Sequence, residues 1–288
     1  MPVETIISDD NAETLAESGF NWRERSGVRL LVCKHLEDAG FVNGFSTRVG
    51  GVSPFPENSL NLAGFDEDLA ENIYENRRRF LAMFDGNYKL ATQWQVHGDG
   101  VRVIDSDADL VDGEAKYDGL VSRLRNVLVG VKTADCVPIL IGDPLTRSFA
   151  AVHAGWRGTV KSIVVRAVER MQENFGSEPK DMIAAIGPAA GCKNYEIGED
   201  VIDAFGSAFS TAEKYFSPTS EGHALIDLHL ANKDQLLSCG VPLSNVYTAP
   251  FCTMARLDLF FSYRVEKKLY RKTGRLMSAI GLRQDEFR

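Results

Sequence analysis

FAAVHAGWRGTV, residues 149–160, contains a strand, a turn and the start of a helix. A run of four apolar residues, as in a buried strand, leads into His153. Gly155 and Gly158 then enclose a short segment and predict a turn. Beyond it, apolar residues recur at the i, i+3, i+4 spacing of a helix over 159–175, namely Val160, Ile163, Val164, Ala167 and Met171. The stretch therefore predicts a helix that packs against the sheet containing the strand.

The segments on either side of this unit predict more strands than helices. Short apolar or alternating runs predict strands at 28–35, 40–47, 88–93, 101–105, 117–122, 126–131, 136–142, 181–187, 244–249, 259–263 and 276–282. Helices are predicted at 67–84, at 199–208 and from the N-cap residue Asp227 to Gly240. Because strands and helices do not alternate strictly, the fold class predicted is α+β. We expect the strands between 127 and 153 to form one mixed sheet, with helix 159–175 on its outer face.

The overall composition excludes several classes of partner. The chain has 288 residues, 44% hydrophobic and 25% charged, which is enough apolar material for a large domain. A net charge of −8 argues against a general nucleic-acid or anionic-membrane binder, and no apolar run is long enough to span a bilayer. Five cysteines without a Cys-x-x-Cys pair, and no visible secretory signal, predict a cytoplasmic protein. The weakly periodic residues 1–25 are expected to be a loose N-terminal arm or an edge element.

Three residues with metal-binding side chains lie at predicted strand ends: His97, Cys136 and His153. Their spacings are too long for a zinc-finger knuckle and suit a site assembled from separate strands. Two imidazoles and a thiolate would leave the fourth position of a tetrahedral zinc open. Two other interpretations stay open. In one, the three are ordinary buried residues; in the other, Cys136 and His153 are the nucleophile and base of a metal-free hydrolase.

Polar and cationic residues accompany these three in the sequence. Lys132, Thr133 and Asp135 interrupt an apolar run just before Cys136, which predicts that the strand reaches a cleft there. Arg48 precedes a glycine pair that lets the backbone approach a ligand closely. An arginine near a metal suits an anion such as phosphate. The alternatives are a solvated connection for the first group and a surface arginine for the second.

Eight segments of the sequence, in order, closely resemble the laccase-domain family. They are GFSTRVGGVS (44–53), SLNL (59–62), QWQVHG (93–98), YDGLVS (117–122), TADCVPILI (133–141), FAAVHAGWRGTV (149–160), IGPAAGCKNYEIG (186–198) and FFSYR (260–264). The family was once called multicopper polyphenol oxidase and is now described as zinc-dependent purine nucleoside phosphorylase. The resemblance covers residues 41 to 282. It implies one laccase-type catalytic domain over 26–288, following the arm at 1–25, and mixed β-sheets packed as a sandwich with helices outside, grouped with a bacterial toxin cysteine hydrolase.

The resemblance also implies a function. It implies zinc, Zn²⁺, held by His97, Cys136 and His153. The implied substrates are phosphate and the purine nucleosides adenosine, inosine and methylthioadenosine, with deamination of adenosine as a second activity. We expect Arg48, Cys136 and His153 to act in catalysis, Arg48 by holding the attacking phosphate.

The older oxidase name conflicts with the composition. A coupled multicopper centre needs many more imidazoles than five histidines can supply. A metal-independent Cys-His hydrolase of an amide or related bond is the alternative function.

Overall fold

Two six-stranded sheets form the centre of the protein in the computed structural model, which describes residues 12–65, 67–110 and 115–284. The strands are β1 (Phe20–Arg25), β2 (Val28–Cys33), β3 (Phe41–Ser46), β4 (Val49–Ser53), β5 (Lys89–Ala91), β6 (Val101–Ile104), β7 (Gly119–Ser122), β8 (Val127–Thr133), β9 (Val137–Asp143), β10 (Ser148–Ala154), β11 (Ile183–Ile186), β12 (Glu196–Gly198), β13 (Phe216–Ser220), β14 (His223–Ile226), β15 (Val246–Thr248) and β16 (Leu276–Leu282). The helices are α1 (Ala12–Glu17), α2 (Lys34–Asp38), α3 (Ala70–Leu81), α4 (Trp156–Val160), α5 (Ile163–Phe175), α6 (Glu199–Ala208), α7 (Leu228–Ser238) and α8 (Tyr263–Tyr270).

Both large sheets are mixed. The first has the order β1-β2-β3-β16-β8-β5, and the second has the order β15-β11-β9-β10-β7-β6. Most neighbours are antiparallel, but β5 and β8, β6 and β7, and β11 and β15 pair in parallel. A third, smaller sheet has the order β12-β14-β13. The predicted α+β class with mixed sheets is therefore confirmed.

The two large sheets pack face to face, with helices outside. In β10, Phe149 and Ala151 belong to the hydrophobic cluster between the sheets, while Ala150 and Val152 belong to the cluster under α5 and α7. This alternation follows from the two-residue period of a strand. On the far side of the first sheet, Phe80 of α3 and its neighbours cover a third cluster. The layers therefore run from α3 through the two sheets to α5 and α7. No helix in the described residues is long and apolar enough to cross a membrane.

The strands between 127 and 153 do not share one sheet, so that prediction is wrong. Strand β8 lies in the first sheet, whereas β9 and β10 lie in the second. The chain crosses between the sheets over residues 134–136, where Asp135 has a φ of 85°. This left-handed conformation is uncommon for a residue with a side chain. The sequence is almost uniformly apolar on each side of the crossing because β8 and β9 are both covered on two faces.

The helix predicted over 159–175 is two helices. Helix α4 ends at Val160, Ser162 adopts a left-handed φ of 61°, and α5 begins at Ile163. Its predicted core residues Ile163, Val164, Ala167 and Met171 are buried against the second sheet, and Gly176 ends the helix in the left-handed conformation. The predicted packing on the outer face of a sheet is therefore confirmed.

The other helix predictions hold with shifted bounds. Helix α3 is shorter than the predicted 67–84, and α6 matches 199–208. Asp227 caps α7 by accepting a hydrogen bond from the amide of Leu230 at 2.8 Å. The strand predicted at 259–263 does not form: Ser262 caps α8 instead.

Residues 20–25 form an edge strand, which agrees with the second of the two alternatives given for the N-terminal residues. Strand β1 is the edge strand of the first sheet and pairs with β2 along its whole length. Leu15 of α1 and Phe20 of β1 are buried in the cluster between the sheets. Residues 12–25 are therefore part of the sandwich and not a separate arm, because their apolar side chains complete its core. Residues 1–11 lie outside the described part of the chain.

Because α5 packs on the sheet with one face, substitutions on its buried face should lower the free energy of unfolding much more than substitutions on its exposed face. Met171 is fully buried, so Met171→Ala should lower the free energy of unfolding by about 2–5 kcal/mol through lost burial and a cavity. Glu173→Ala on the exposed face should change it by less than about 0.5 kcal/mol. Urea denaturation of both variants measures the difference. Equal effects would mean that α5 is not packed on the sheet as described.

Candidate metal centre

Three separate segments bring His97, Cys136 and His153 together at one edge of the sandwich. His97 lies in the connection between β5 and β6, Cys136 lies in the crossing between β8 and β9, and His153 is near the end of β10. The nitrogen and sulfur atoms of the three side chains lie within 4.8 Å of one another and form a group that could hold a metal ion. His153 is buried, Cys136 is partly buried and His97 is exposed. The group therefore opens to solvent on the His97 side.

The position of these side chains follows from strand register. Pro138 of β9 pairs with His153 of β10, so Cys136 lies just beyond the last paired residues at the same end of the sheet. Gly155, which precedes α4, lies against the group: a Cβ atom there would be 3.0 Å from Cys136 Sγ and 3.0 Å from His97 Cδ2. A glycine at this position leaves room for Cys136 and His97, which a side chain would crowd.

Asp118 holds two of the three residues in place. Its buried carboxylate accepts hydrogen bonds from the amides of Val96, His97 and Gly98 at 3.1, 2.9 and 2.7 Å. It also accepts from His153 Nδ1 at 2.7 Å, which leaves Nε2 of that ring for a metal. Sequence reasoning missed Asp118, although it lies in the YDGLVS segment. Its only local signal was an acidic residue at the start of an apolar strand.

Cys136 and His153 shift each other's protonation. Burial favours the neutral thiol, but His153 and His97 outweigh this effect and lower the pKa of Cys136 to about 6. Burial also favours the neutral imidazole, but Cys136 and Asp118 raise the pKa of His153 to about 9. Without metal, the pair is therefore a thiolate and an imidazolium near neutral pH. A metal bound here would meet a Cys136 side chain that is already deprotonated, and it would displace a proton from the His153 imidazole.

The polar residues before Cys136 line a cleft, as predicted. Lys132, Thr133 and Asp135 belong to the walls of a cleft of about 890 Å³ that contains the His–Cys–His group. The Asp135 carboxylate does not orient a metal-binding residue; it accepts from Thr253 Oγ1 at 2.7 Å, Ser262 Oγ at 3.0 Å and the Arg264 amide at 2.7 Å. Burial raises its pKa. Asp135 therefore ties the crossing to the start of α8.

The cleft is cationic and aromatic. Its cationic side chains are Arg77, Lys132, Arg157, Arg264 and Arg275, and the carboxylate among the described residues of its wall is that of Asp135. Its aromatic side chains are Phe65, Tyr74, Trp94, Trp156, Tyr195 and Tyr263. Tyr195 and Trp156 each carry an arginine over the ring, Arg264 at 4.9 Å and Arg157 at 4.1 Å. The sequence did not predict this collection, because its members come from many separate segments.

The structure does not bring Arg48 to the cleft, so its predicted place beside the metal site is corrected. Arg48 is buried in another part of the molecule, where its guanidinium donates to Glu266 Oε1 at 3.0 Å and lies 4.7 Å from the Phe261 ring. It lines a separate cleft of about 920 Å³. The two Nη atoms of the guanidinium donate to the Glu266 carboxylate and to backbone carbonyls, whereas its buried Nε has no hydrogen-bond partner.

The fold and the site together define a two-sheet α+β sandwich with a candidate metal centre where the chain crosses between its sheets. The chain belongs to the family described as multi-copper polyphenol oxidoreductase laccase, whose sequence model matches residues 42–283. It is 34% identical over 262 residues to a purine nucleoside phosphorylase of Bacteroides thetaiotaomicron, covering 88% of this chain and 96% of that protein. It is 31% identical over 254 residues to the purine nucleoside phosphorylase YlmD of Bacillus subtilis, covering 84% and 89%.

Solved structures resemble the whole sandwich. YlmD from Geobacillus stearothermophilus superposes with a TM-score of 0.83 at 32% identity, covering 92% of this chain and 99% of that one. The hypothetical protein YfiH from Bacillus licheniformis superposes with a TM-score of 0.83 at 30% identity, covering 91% and 98%. The suspected resemblance to the laccase-domain family is therefore confirmed.

Because the Asp118 carboxylate orients His153 and the loop with His97, its removal should weaken metal binding. Asp118→Asn keeps the size of the side chain but places an amide donor against N–H groups, so metal affinity should fall about 10- to 100-fold. Competition with a chromophoric zinc chelator measures the dissociation constant. Asp85→Asn removes an exposed carboxylate elsewhere and should leave it unchanged. Equal affinities in the two variants would refute the role given to Asp118.

The lowered pKa of Cys136 predicts the pH dependence of its alkylation. In protein stripped of metal, iodoacetamide labelling of Cys136 should rise as pH increases through about 6, because the thiolate is the reactive form. Cys33 is fully buried and burial also raises the pKa of its thiol, so its labelling would reveal unfolding and it serves as an internal control. Mass spectrometry of labelled peptides gives both profiles. A Cys136 profile with its midpoint above pH 8 would contradict the electrostatics described here.

Proposed function

We propose that this protein is a zinc-dependent purine nucleoside phosphorylase. The proposed substrates are adenosine, inosine and methylthioadenosine with phosphate, and adenosine deaminase activity is proposed in addition. The observation that carries the proposal is the His97–Cys136–His153 group at the base of a cationic, aromatic cleft. It is supported by relatives at 31% and 34% identity that are named purine nucleoside phosphorylase.

The donor set fits one zinc ion. Two imidazoles and a thiolate of lowered pKa suit tetrahedral zinc and leave one position for a reactant. The other histidines lie away from the group, each with its own contact: His35 stacks on Tyr247 at 3.9 Å, and His229 Nε2 hydrogen-bonds to the Gly187 carbonyl at 3.2 Å. His223 hydrogen-bonds to a backbone carbonyl at 3.0 Å. A coupled multicopper centre needs more imidazoles than this group contains.

The side chains that line the cleft suit the two proposed substrates. Zinc, when bound, supplies a Lewis acid. The aromatic walls suit the faces of a purine, and the cations neutralise phosphate. In phosphorolysis, an oxygen of hydrogen phosphate forms a bond to C1′, the C1′–N9 bond breaks, and its electron pair stays on N9. The proton of the hydrogen phosphate ends on the departing base, which balances the reaction. In deamination, water replaces the 6-amino group and ammonia leaves.

A metal-independent hydrolase of an amide or related bond is the second candidate. One observation favours it: Asp118, His153 and Cys136 form a chain of contacts with the thiolate and imidazolium charges of a cysteine hydrolase. His97 separates the two proposals, because a Cys–His pair does not need a second imidazole. A structural relationship to toxin cysteine hydrolases is proposed together with this second candidate. A cytoplasmic location is likewise proposed, from five free cysteines.

Metal content and nucleoside turnover test the proposal together. The purified protein should contain about one zinc per chain, and Cys136→Ala and His153→Ala should lose it. Chelation should abolish release of base from adenosine and expose Cys136 to iodoacetamide, and added zinc should reverse both effects. Elemental analysis, chromatography of the products and mass spectrometry provide the three readouts.

The His97→Ala variant discriminates between the two candidates. It should abolish nucleoside cleavage if His97 holds zinc. If Cys136 and His153 instead form a metal-free hydrolase, the loss of activity should be small. Equal zinc in the wild type and all three variants would overturn the metal site. Activity that persists after chelation, with rapid labelling of Cys136 in the untreated protein, would support the hydrolase.

A further inference from the structure

A second, smaller cleft adjoins the cleft that contains the His–Cys–His group. It has a volume of about 390 Å³, and four residues line both clefts: Trp156, Arg157, Tyr195 and Arg264. Trp156 and Arg157 belong to α4, which directly follows the strand that contains His153, and α4 packs against α6. A substituent on a ligand in the larger cleft therefore needs only to pass these side chains to reach the smaller one.

The smaller cleft is lined by charged side chains of both signs. Arg157 and Arg264 supply guanidinium groups, and Glu196 and Asp200 supply carboxylates. All four residues are exposed, so a ligand has access to their charges. Within the described part of the chain none of the four forms a salt bridge, although they line one cleft. Both kinds of charge are therefore available to a ligand.

Aromatic rings hold the two guanidinium groups in place. The guanidinium of Arg157 lies 4.1 Å from the Trp156 ring, and that of Arg264 lies 4.9 Å from the Tyr195 ring. Arg264 Nη1 also donates to the backbone carbonyl of Glu196 at 2.8 Å. Each guanidinium has five N–H donors, so these contacts leave donors that can bind an anionic group.

The two carboxylates can likewise accept from a ligand. Glu196 Oε1 accepts a hydrogen bond from Thr219 Oγ1 at 2.8 Å, which is a neutral donor. Asp200 lies in the first turn of α6, where the helix dipole favours a negative charge, and a Cβ atom on Gly198 would be 3.3 Å from its Oδ1. An ammonium group can therefore bind here without displacing a salt bridge.

A group that carries both charges matches this cleft better than a group that carries one. A phosphate alone would be repelled by Glu196 and Asp200, and an amine alone would be repelled by Arg157 and Arg264. An α-amino acid has a carboxylate and an ammonium group on the same carbon atom. The mixed lining therefore points to a zwitterionic amino acid.

The proposed substrates connect such a group to the larger cleft. Methylthioadenosine carries a thioether at C5′, and the purine at C1′ leaves the ribose on the other side of the ring oxygen. Phe65, Tyr74 and Trp94 line the larger cleft but not the smaller one. With the purine against these rings, a longer chain on the 5′ sulfur extends away from them, toward the residues that both clefts share.

We propose that the protein binds 5′-thioethers of adenosine that end in a zwitterionic amino acid, with the amino acid in the smaller cleft. Arg157 and Arg264 bind its carboxylate, and Glu196 and Asp200 bind its ammonium group. This inference rests on the proposed function and extends its substrates. Phosphorolysis of such a compound forms the bond from phosphate to C1′ and breaks the C1′–N9 bond as for adenosine, so the thioether is unchanged.

Calorimetry on the zinc-loaded protein without phosphate measures binding apart from phosphorolysis. S-adenosylhomocysteine should bind about 10-fold more tightly than methylthioadenosine, because two ion-paired contacts at exposed positions contribute about 3-fold each. N-acetylation of the ligand removes its ammonium charge, and methyl esterification removes its carboxylate charge. Each of these modified ligands should therefore lose about 3-fold in affinity.

Two variants assign the charges to residues. Asp200→Asn should weaken S-adenosylhomocysteine binding about 3-fold and leave the N-acetylated ligand and methylthioadenosine unchanged. Arg157→Met should weaken S-adenosylhomocysteine binding but not the binding of its methyl ester. Asp203→Asn is the matched control, because Asp203 is an exposed carboxylate on α6 outside the smaller cleft; it should bind all the ligands like the wild type.

The outcomes separate this inference from the proposed function. Equal affinities for S-adenosylhomocysteine and methylthioadenosine, or equal effects of Asp200→Asn and Asp203→Asn, would overturn the inference even if adenosine is cleaved. Tighter binding of S-adenosylhomocysteine that depends on Asp200 and on the ammonium group would support it. If adenosine is then not cleaved when phosphate is added, the failure belongs to the proposed reaction. No binding of any of these nucleosides would overturn both.

Discussion

A single buried carboxylate, that of Asp118, organises the edge of the sandwich on which the site depends. It accepts three backbone amides from residues 96–98 and the Nδ1 of His153, so its charge is matched by four N–H donors. A buried carboxylate without such partners would be costly. With them, it fixes the loop that carries His97 and the orientation of the His153 ring. The arrangement of the candidate metal site is therefore fixed by the protein's own hydrogen bonds.

The sequence predicted the three donors but not what supports them. Cys136 and His153 are recognisable because a metal-binding side chain stands at the end of an apolar run, whereas His97 lies in the connection between β5 and β6 and not at a strand end. Asp118 gave no comparable signal, since an acidic residue beside a strand is common. Arg48 was misplaced because its partner Glu266 lies 218 residues further along the chain. A long-range ion pair of this kind leaves no local pattern that sequence reasoning could read.

The fold, like the site, was predictable where it depends on local sequence patterns. Periodicity identified the strands around His153 and the buried face of α5, because both patterns depend on local geometry. The assignment of β8 and β9 to different sheets was not predictable, since strands covered on both faces are uniformly apolar in either sheet. Net charge does not report where the charged side chains lie. A chain with a net charge of −8 nevertheless places five cationic side chains around one cleft.

The loop with His97 and the crossing with Cys136 both pass between the two sheets at this edge, while His153 belongs to the second sheet alone. The distances among the three donors therefore depend on how the sheets are docked. A sliding of one sheet over the other would separate atoms that now lie within 4.8 Å. By the reciprocity of linkage, an ion held by all three would resist that sliding, and substitutions among the phenylalanines between the sheets would alter its affinity from a distance. The metal affinity of the site would therefore depend on how the two sheets are aligned.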